Sequence, residues 1–248
     1  NALLNVFVDD LKRTRWNGYK LGMQYNATDN SWGVGANYRS NVAFNAKGTS
    51  RGTFESGAPG GTGPITGGDA TIGNAFPEQY VLGGFYRVSD NLRISPEYSF
   101  SHYSRNKQLD LGGTFTIPGL GTRQLVPIQQ AWKNQHVGRI GSEYRLNEMW
   151  VGRAGYAWTS QVSADSFARS TFSSPGSGHA ATIGAGYTVA QGFDLDAALE
   201  YSWASGTATN TTLARTATGA NGSAQEVANP TKFSTSAYAA HLGGTYRF

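Results

Sequence analysis

Tyr238-Ala239-Ala240-His241-Leu242-Gly243-Gly244-Thr245-Tyr246-Arg247-Phe248 sorts by parity. The even positions are Tyr238, Ala240, Leu242, Gly244, Tyr246 and Phe248, and the odd ones are Ala239, His241, Gly243, Thr245 and Arg247. Side chains alternate between the two faces of a β-strand, so one face is apolar and aromatic and the other small or polar. The period recurs upstream. In 193–201, Phe193, Leu195, Leu199 and Tyr201 share one face, and Asp194, Asp196 and Glu200 share the other.

A soluble sandwich also alternates, so the period alone does not decide the fold. Composition and spacing do. Only 15% of the 248 residues are charged, against about a quarter in a soluble domain, yet mean hydropathy is −0.40. Such a balance suits strands that show one face to lipid and the other to a polar lumen. No run of about 18 apolar residues exists, which excludes a transmembrane helix. The strands are about ten residues or longer, as a tilted membrane crossing requires. Aromatics mark strand ends at Tyr25, Trp32, Tyr86, Tyr144, Trp150, Tyr187, Phe193 and Tyr246, where lipid meets water. The sequence therefore predicts an all-β, antiparallel transmembrane β-barrel, with residues 1–248 forming a single outer-membrane domain.

Nine strands are expected, at 16–26, 31–47, 78–89, 91–106, 134–146, 149–163, 179–190, 193–206 and 233–248, the first reaching back toward Val6. Short connections fall at 28–30, 89–91, 146–148 and 190–192, and long ones at 48–77, 107–133, 164–178 and 207–232. Short turns face the periplasm and long loops face outside in such barrels, which puts the C-terminus on the periplasmic side. An odd strand count cannot close a bacterial barrel, and an open sheet leaves unsatisfied N–H and C=O groups along both edges. Nor does Asn1-Ala2-Leu3-Leu4-Asn5 read as a signal peptide. The chain is thus expected to be the C-terminal part of a larger barrel, with the free edge of its last strand unpaired.

Little in the sequence suggests chemistry. Gly48-Thr49-Ser50-Arg51-Gly52 matches a nucleophile pattern that needs a strand–turn–helix context. Its surroundings read instead as a flexible outer loop. The four histidines, His102, His136, His179 and His241, lie on different strands without metal-ligand spacing, and cysteine is absent. No catalytic residue, metal or cofactor is expected. The net charge of +4 comes from basic residues spread singly along strands, which argues against a nucleic-acid surface.

The face opposite the aromatics carries Lys20, Arg39, Arg87, Arg93, Glu97, Arg139, Glu143, Arg145, Arg153, Asp194, Asp196, Glu200, His241 and Arg247. Charges of both signs at membrane depth pair or are wet; one or two arginines among them could instead hold an anion by paired hydrogen bonds. The long connections are apolar for loops, with Ile65, Ile72, Phe76, Leu109, Leu111, Phe115, Ile117, Leu120, Leu125, Val126 and Ile128. They could form a greasy entry groove or pack on one another.

Trp16-Asn17-Gly18-Tyr19-Lys20-Leu21-Gly22, Asn37-Tyr38-Arg39-Ser40 running into 42–48, and Asn74-Ala75-Phe76-Pro77-Glu78-Gln79 resemble the long-chain fatty acid outer-membrane transporter family (FadL/TodX-like). Tyr86-Arg87-Val88, Trp132-Lys133-Asn134 and the terminal Tyr-x-Phe agree in order and spacing. The resemblance implies a fourteen-stranded barrel with an N-terminal hatch, of which this chain would hold strands six to fourteen. It implies uptake of hydrophobic solutes, most simply long-chain fatty acids, by passive diffusion coupled to ligand binding. Monoaromatic hydrocarbons or general porin diffusion are the alternatives. The family's carboxylate-binding lysine overlays Ile128, so Lys133 and Arg123 become the nearest substitutes. Arg139, Arg153, Phe76 and Phe115 complete the expected ligand-binding set. The expected partners are a fatty acid or aromatic hydrocarbon and outer-membrane lipid or lipopolysaccharide; the expected working unit is a monomer in the outer membrane.

Overall fold

The computed structural model describes residues 3–55, 62–168, 176–209 and 231–247. Its strands run β1 (Leu3–Lys12), β2 (Lys20–Asn26), β3 (Trp32–Arg39), β4 (Val42–Glu55), β5 (Thr62–Ile65), β6 (Asp69–Phe76), β7 (Gln79–Arg87) and β8 (Leu92–Ser101). There follow β9 (Gln108–Ile117), β10 (Gly121–Gln124), β11 (Ile128–Gln129), β12 (Gln135–Arg145), β13 (Trp150–Thr159), β14 (Ser177–Ala190), β15 (Phe193–Ala208) and β16 (Thr231–Tyr246).

Nine of them form one antiparallel sheet in the order β16-β15-β14-β13-β12-β8-β7-β3-β2. These are the nine expected crossings, each joined to its chain neighbour where the intervening connection is short. The register carries the sequence parity across the whole wall. Met23 lies opposite Ala36, Ala36 opposite Leu82, and Leu82 opposite Tyr98. Farther round, Leu199 pairs with Ile183 on one side and Ala240 on the other. The apolar face is consequently bare: Met23 is 75% exposed and Leu242 89%. In water such a surface would aggregate; in a bilayer it is the solvated face. β16 pairs only with β15 and β2 only with β3, so among the described residues the sheet is open at both ends.

The turns at one end of the wall follow from short polar side chains. Asp29 Oδ1 accepts from the Ser31 N–H (3.0 Å) and hydroxyl (2.7 Å), which holds its carboxyl below the ordinary value. Asn147 Oδ1 accepts from the N–H groups of Met149 and Trp150, both at 2.9 Å. Asx turns of this kind close tight hairpins.

The other end departs from the sequence reading. The segments 48–77 and 107–133, expected as loops, hold β5, β6, β9, β10, β11 and most of β4. With β1 they make a second, seven-stranded sheet in the order β1-β4-β6-β9-β10, with β5 and β11 added at its sides. The expected single strand at 31–47 is two, β3 and β4, broken at Ser40-Asn41. The start of the chain is a separate strand rather than an extension of β2. Turn-rich composition concealed these strands, since Gly, Thr and Ser are common in them and alternation is weak. Of the other long connections, 164–168 holds a short 3-10 turn at Asp165–Phe167, and 169–175 and 210–230 lie outside the described residues.

The second sheet continues four wall strands past their ends opposite the short turns, in the same order: β1 from β2, β4 from β3, β6 from β7 and β9 from β8. Arg39 pairs with Gln79 and Val42 with Phe76, so the ladder keeps step across the break, three residues on each side. Pro77 causes the break because it has no N–H to give. The Asn41 side chain instead donates to the Phe76 carbonyl at 3.1 Å, and Tyr19 N–H donates to Ser40 Oγ at 2.9 Å.

Glu78 fastens this joint. It is 7% exposed, bonded through Oε1 to His102 Nδ1 at 2.9 Å and through Oε2 to Arg105 Nη1 at 3.1 Å. Nearby, Asn106 donates to the Ala75 carbonyl at 2.7 Å, and Ser104 N–H donates to Asn134 Oδ1 at 3.1 Å. A buried carboxylate without partners is costly, which ties the 3-10 turn Tyr103–Arg105 to the head of β7. Glu78→Ala is expected to lower stability by about 1–3 kcal/mol. Limited proteolysis should then cut between 102 and 107 while the wall strands stay protected; unchanged protection there would show that Glu78 does not fasten the joint.

Candidate functional site

The polar face of the wall divides into two unlike halves. Across β8, β12, β13, β15 and β16 it is a chain of ion pairs. Glu97 bonds Arg139, Arg153 bonds Glu143 at 2.9 Å and also Asp196, His241 lies 3.7 Å from Glu200, and Arg247 bonds Asp194 at 2.8 Å. Arg153 on β13 reaches Asp196 on β15 across β14. Gly186 makes this possible: a Cβ there would stand 2.8 Å from Asp196 Oδ1 and 2.9 Å from Arg153 Nη1. Opposite charges at membrane depth are thus matched in place, the outcome expected of most such groups.

Across β2, β3, β7 and β8 the same face is hollow. A depression of about 730 Å³ is floored by Gly22, Gly33, Gly35 and Gly83, with Asn37, Val81 and Phe85 along it. Glycine at position 33 leaves room for its neighbours, since a Cβ there would come within 2.4 Å of Asn26 Oδ1 and 2.5 Å of the Phe85 ring. Arg93 lies over that ring, 4.0 Å from its centre, and the Arg139–Glu97 pair bounds one side.

At the end of the hollow nearer the second sheet, one row beyond Gly22 and Asn37, Lys20 stands directly opposite Arg39. Like charges facing each other across a ladder are unfavourable. Neither has an acidic partner among the described residues, and Arg39 Nε is buried without a hydrogen bond. Sequence parity put both residues on this face. It could not show that they are neighbours, because that depends on the β2–β3 register.

The six expected ligand residues fall in separate places. Arg139 borders the hollow and Arg153 belongs to the ion-pair half. Phe115 is 7% exposed in a small core with Ile65 and Ile117, against which Val6, Phe54 and Leu125 pack. Arg123 is its register partner on β10, its Nη1 donating to the Thr122 carbonyl at 3.4 Å. Phe76 is 62% exposed beside the Phe44 ring, 5.5 Å between centres. Lys133 is exposed just before β12, its N–H donating to the Val162 carbonyl at 2.8 Å. Several apolar residues of the long connections therefore pack on one another. Ser50 lies within β4 rather than in a loop or at a strand–helix turn. Its hydroxyl donates to the Thr114 carbonyl at 3.1 Å and accepts from the Gly68 N–H at 3.0 Å.

An antiparallel wall with an apolar outer face, aromatic ends and a charged inner face has counterparts among known proteins. The sequence pattern described as outer membrane protein transport protein (OMPP1/FadL/TodX) matches residues 7–248. The chain belongs to this family. A FadL homologue of Pseudomonas aeruginosa superposes with a TM-score of 0.66 at 20% identity, over 92% of this chain and 52% of that one. The Pseudomonas putida toluene transporter TodX gives 0.61 at 17% identity, over 93% and 49%. A curated outer membrane protein of Neisseria meningitidis serogroup B is 26% identical over 161 residues, 60% of this chain and 34% of its own. The chain thus spans about half the length of these solved family structures, and a third of the Neisseria protein.

Within the family wall, the Arg153–Asp196 bridge gives a direct check. Gly186→Val should push the ends of Arg153 and Asp196 apart and loosen that bridge, costing up to about 1 kcal/mol because both side chains are partly exposed. Urea unfolding in detergent, followed by tryptophan fluorescence, measures this. A midpoint equal to wild type would mean that the space above Gly186 is not used as described.

Proposed function

We propose that this chain forms part of the wall of an outer-membrane channel for hydrophobic solutes that carry an anionic end, long-chain fatty acids being the class with that chemistry. The observation that carries the reading is the Lys20–Arg39 pair. Two facing cations, one with a buried donor left over, are stabilised when an anion lies between them. The glycine-floored hollow begins at their feet. From Lys20 to Asn26 is six residues, about 20 Å at ~3.3 Å per residue, which suits an extended acyl chain ending near Phe85. Burial of that chain supplies the driving force, and no bond is made or broken.

The alternation of short Asx-closed turns with long, structured connections supports placing the second sheet outside the cell and the C-terminus at the periplasmic rim. Solute would then meet the outer sheet first and Lys20–Arg39 next. Of the expected set, Lys133, Arg123 and Phe76 belong to that outer approach, Phe115 to the core that supports it, and Arg139 stands beside the hollow itself. We take the complete protein to work as a monomer. A neutral monoaromatic solute is the second reading, favoured by the Phe85 face, and it would not need the cation pair.

Titration of protein extracted from outer membranes with a fluorescent long-chain fatty acid separates the two. Lys20→Gln and Arg39→Gln should each weaken binding of the acid about tenfold, the loss of a hydrogen bond to a charged group. Binding of the methyl ester should be unchanged. Equal affinities for the acid in wild type and both variants would end the proposal, and displacement by toluene but not by the acid would favour the second reading.

A further inference from the structure

The lipid-facing side of the same strands carries a feature that solute transport does not use. Most of that face is filled by large side chains, but Ala36 on β3 lies in register between Met23 on β2 and Leu82 on β7. The small residue between two long ones leaves a groove of about 520 Å³, lined also by Leu21, Tyr38 and Tyr98. Its outer end is a row of phenol rings. Tyr19, Tyr38 and Tyr80 follow one another with ring centres 5.8 and 5.0 Å apart. Tyrosine and tryptophan favour the depth at which acyl chains give way to headgroups.

Beyond this row the chain is Lys12-Arg13-Thr14-Arg15-Trp16, exposed throughout, with Trp16 92% exposed. Lys12 pairs with Lys47 and Lys20 with Arg39, eight residues apart on both strands. The chain between has the same number of residues as the β3–β4 segment it runs beside, although it is not itself a strand. Arg13 and Arg15 lie in this exposed stretch, just beyond the tyrosine row. Neither arginine has an acidic partner among the described residues; the nearby Asp9 is taken by Arg51. This end of β2 thus presents, from the membrane outward, an acyl-sized groove, an aromatic row and a stretch with two guanidinium groups that have no acidic partner among the described residues.

We propose that this strip binds a phosphorylated, multiply acylated glycolipid of the outer leaflet, of the lipid A class. One acyl chain would lie over Ala36, the sugar would meet the tyrosine row, and the arginines would take a phosphate by paired hydrogen bonds. Charge complementarity selects this occupant over a neutral lipid, and guanidinium forks match the paired oxygens of a phosphate. The inference rests on the outward placement of the second sheet given above. It is independent of what passes through the lumen.

Native mass spectrometry of protein extracted from outer membranes, with added bisphosphorylated lipid A, dephosphorylated lipid A or phosphatidylglycerol, tests it. Wild type should retain bisphosphorylated lipid A and release the other two at lower collision energy. Arg13→Gln/Arg15→Gln should lower its occupancy about tenfold, as should Ala36→Leu, which fills the groove without touching a charge. Heat-modifiable electrophoretic mobility checks that each variant is folded, and titration of both with the fluorescent fatty acid should give the wild-type affinity. That readout separates this site from the lumen, so loss of fatty-acid binding in wild type leaves the glycolipid result standing. Unchanged lipid A occupancy in both variants, or equal retention of phosphatidylglycerol by wild type, overturns the proposal.

Discussion

Every backbone N–H and C=O that crosses a bilayer must find its partner within the protein, because hydrocarbon offers none. The antiparallel ladder from β2 to β16 is the response of this chain to that constraint. Its consequences run through the rest of the molecule. A ladder fixes the side-chain period at two, so each strand shows lipid one parity and the lumen the other. It also fixes register, and register decides which lumen groups become neighbours. Arg153 finds Glu143 and Asp196, whereas among the described residues Lys20 has Arg39 as its cross-strand neighbour.

The two halves of the lumen face differ because of what stands at equivalent rows. On the β12–β16 side, acids and bases alternate and cancel, with Gly186 giving Arg153 room to reach over a strand. On the β2–β8 side, glycines take the rows where side chains would fill the space, and the cations above them go unmatched. A paired charge surface is wet and neutral. The proposed fatty-acid role rests on the unmatched cation pair at the head of this glycine floor.

The joint between the two sheets shows how one local defect is made safe. Pro77 removes a ladder donor, and Asn41, Ser40 and Glu78 supply side-chain bonds around the gap. The second sheet therefore follows the wall without losing step, since the offset between β3–β4 and β6–β7 is the same on either side. Its own core is small, Ile65, Phe115 and Ile117, so its order depends on that fastening as much as on burial.

Much of this was legible in the residues. Parity in 238–248 and in 193–201, aromatic strand ends and sparse charge determine the fold class, the nine crossings and the two faces, because each depends on local period alone. The open edge beside β16 also follows, from an odd count. The outer sheet was not legible: its strands are rich in Gly, Thr and Ser, and what makes them strands is pairing between segments such as β4 and β6 or β6 and β9. The site was half legible. Sequence put Lys20, Arg39 and Arg139 on the lumen face, but distance in the chain says nothing about which strand lies beside which. Only the tertiary register could set Lys20 against Arg39 and Ala36 between Met23 and Leu82, since cross-strand neighbours are chosen by hydrogen bonds between residues far apart in sequence.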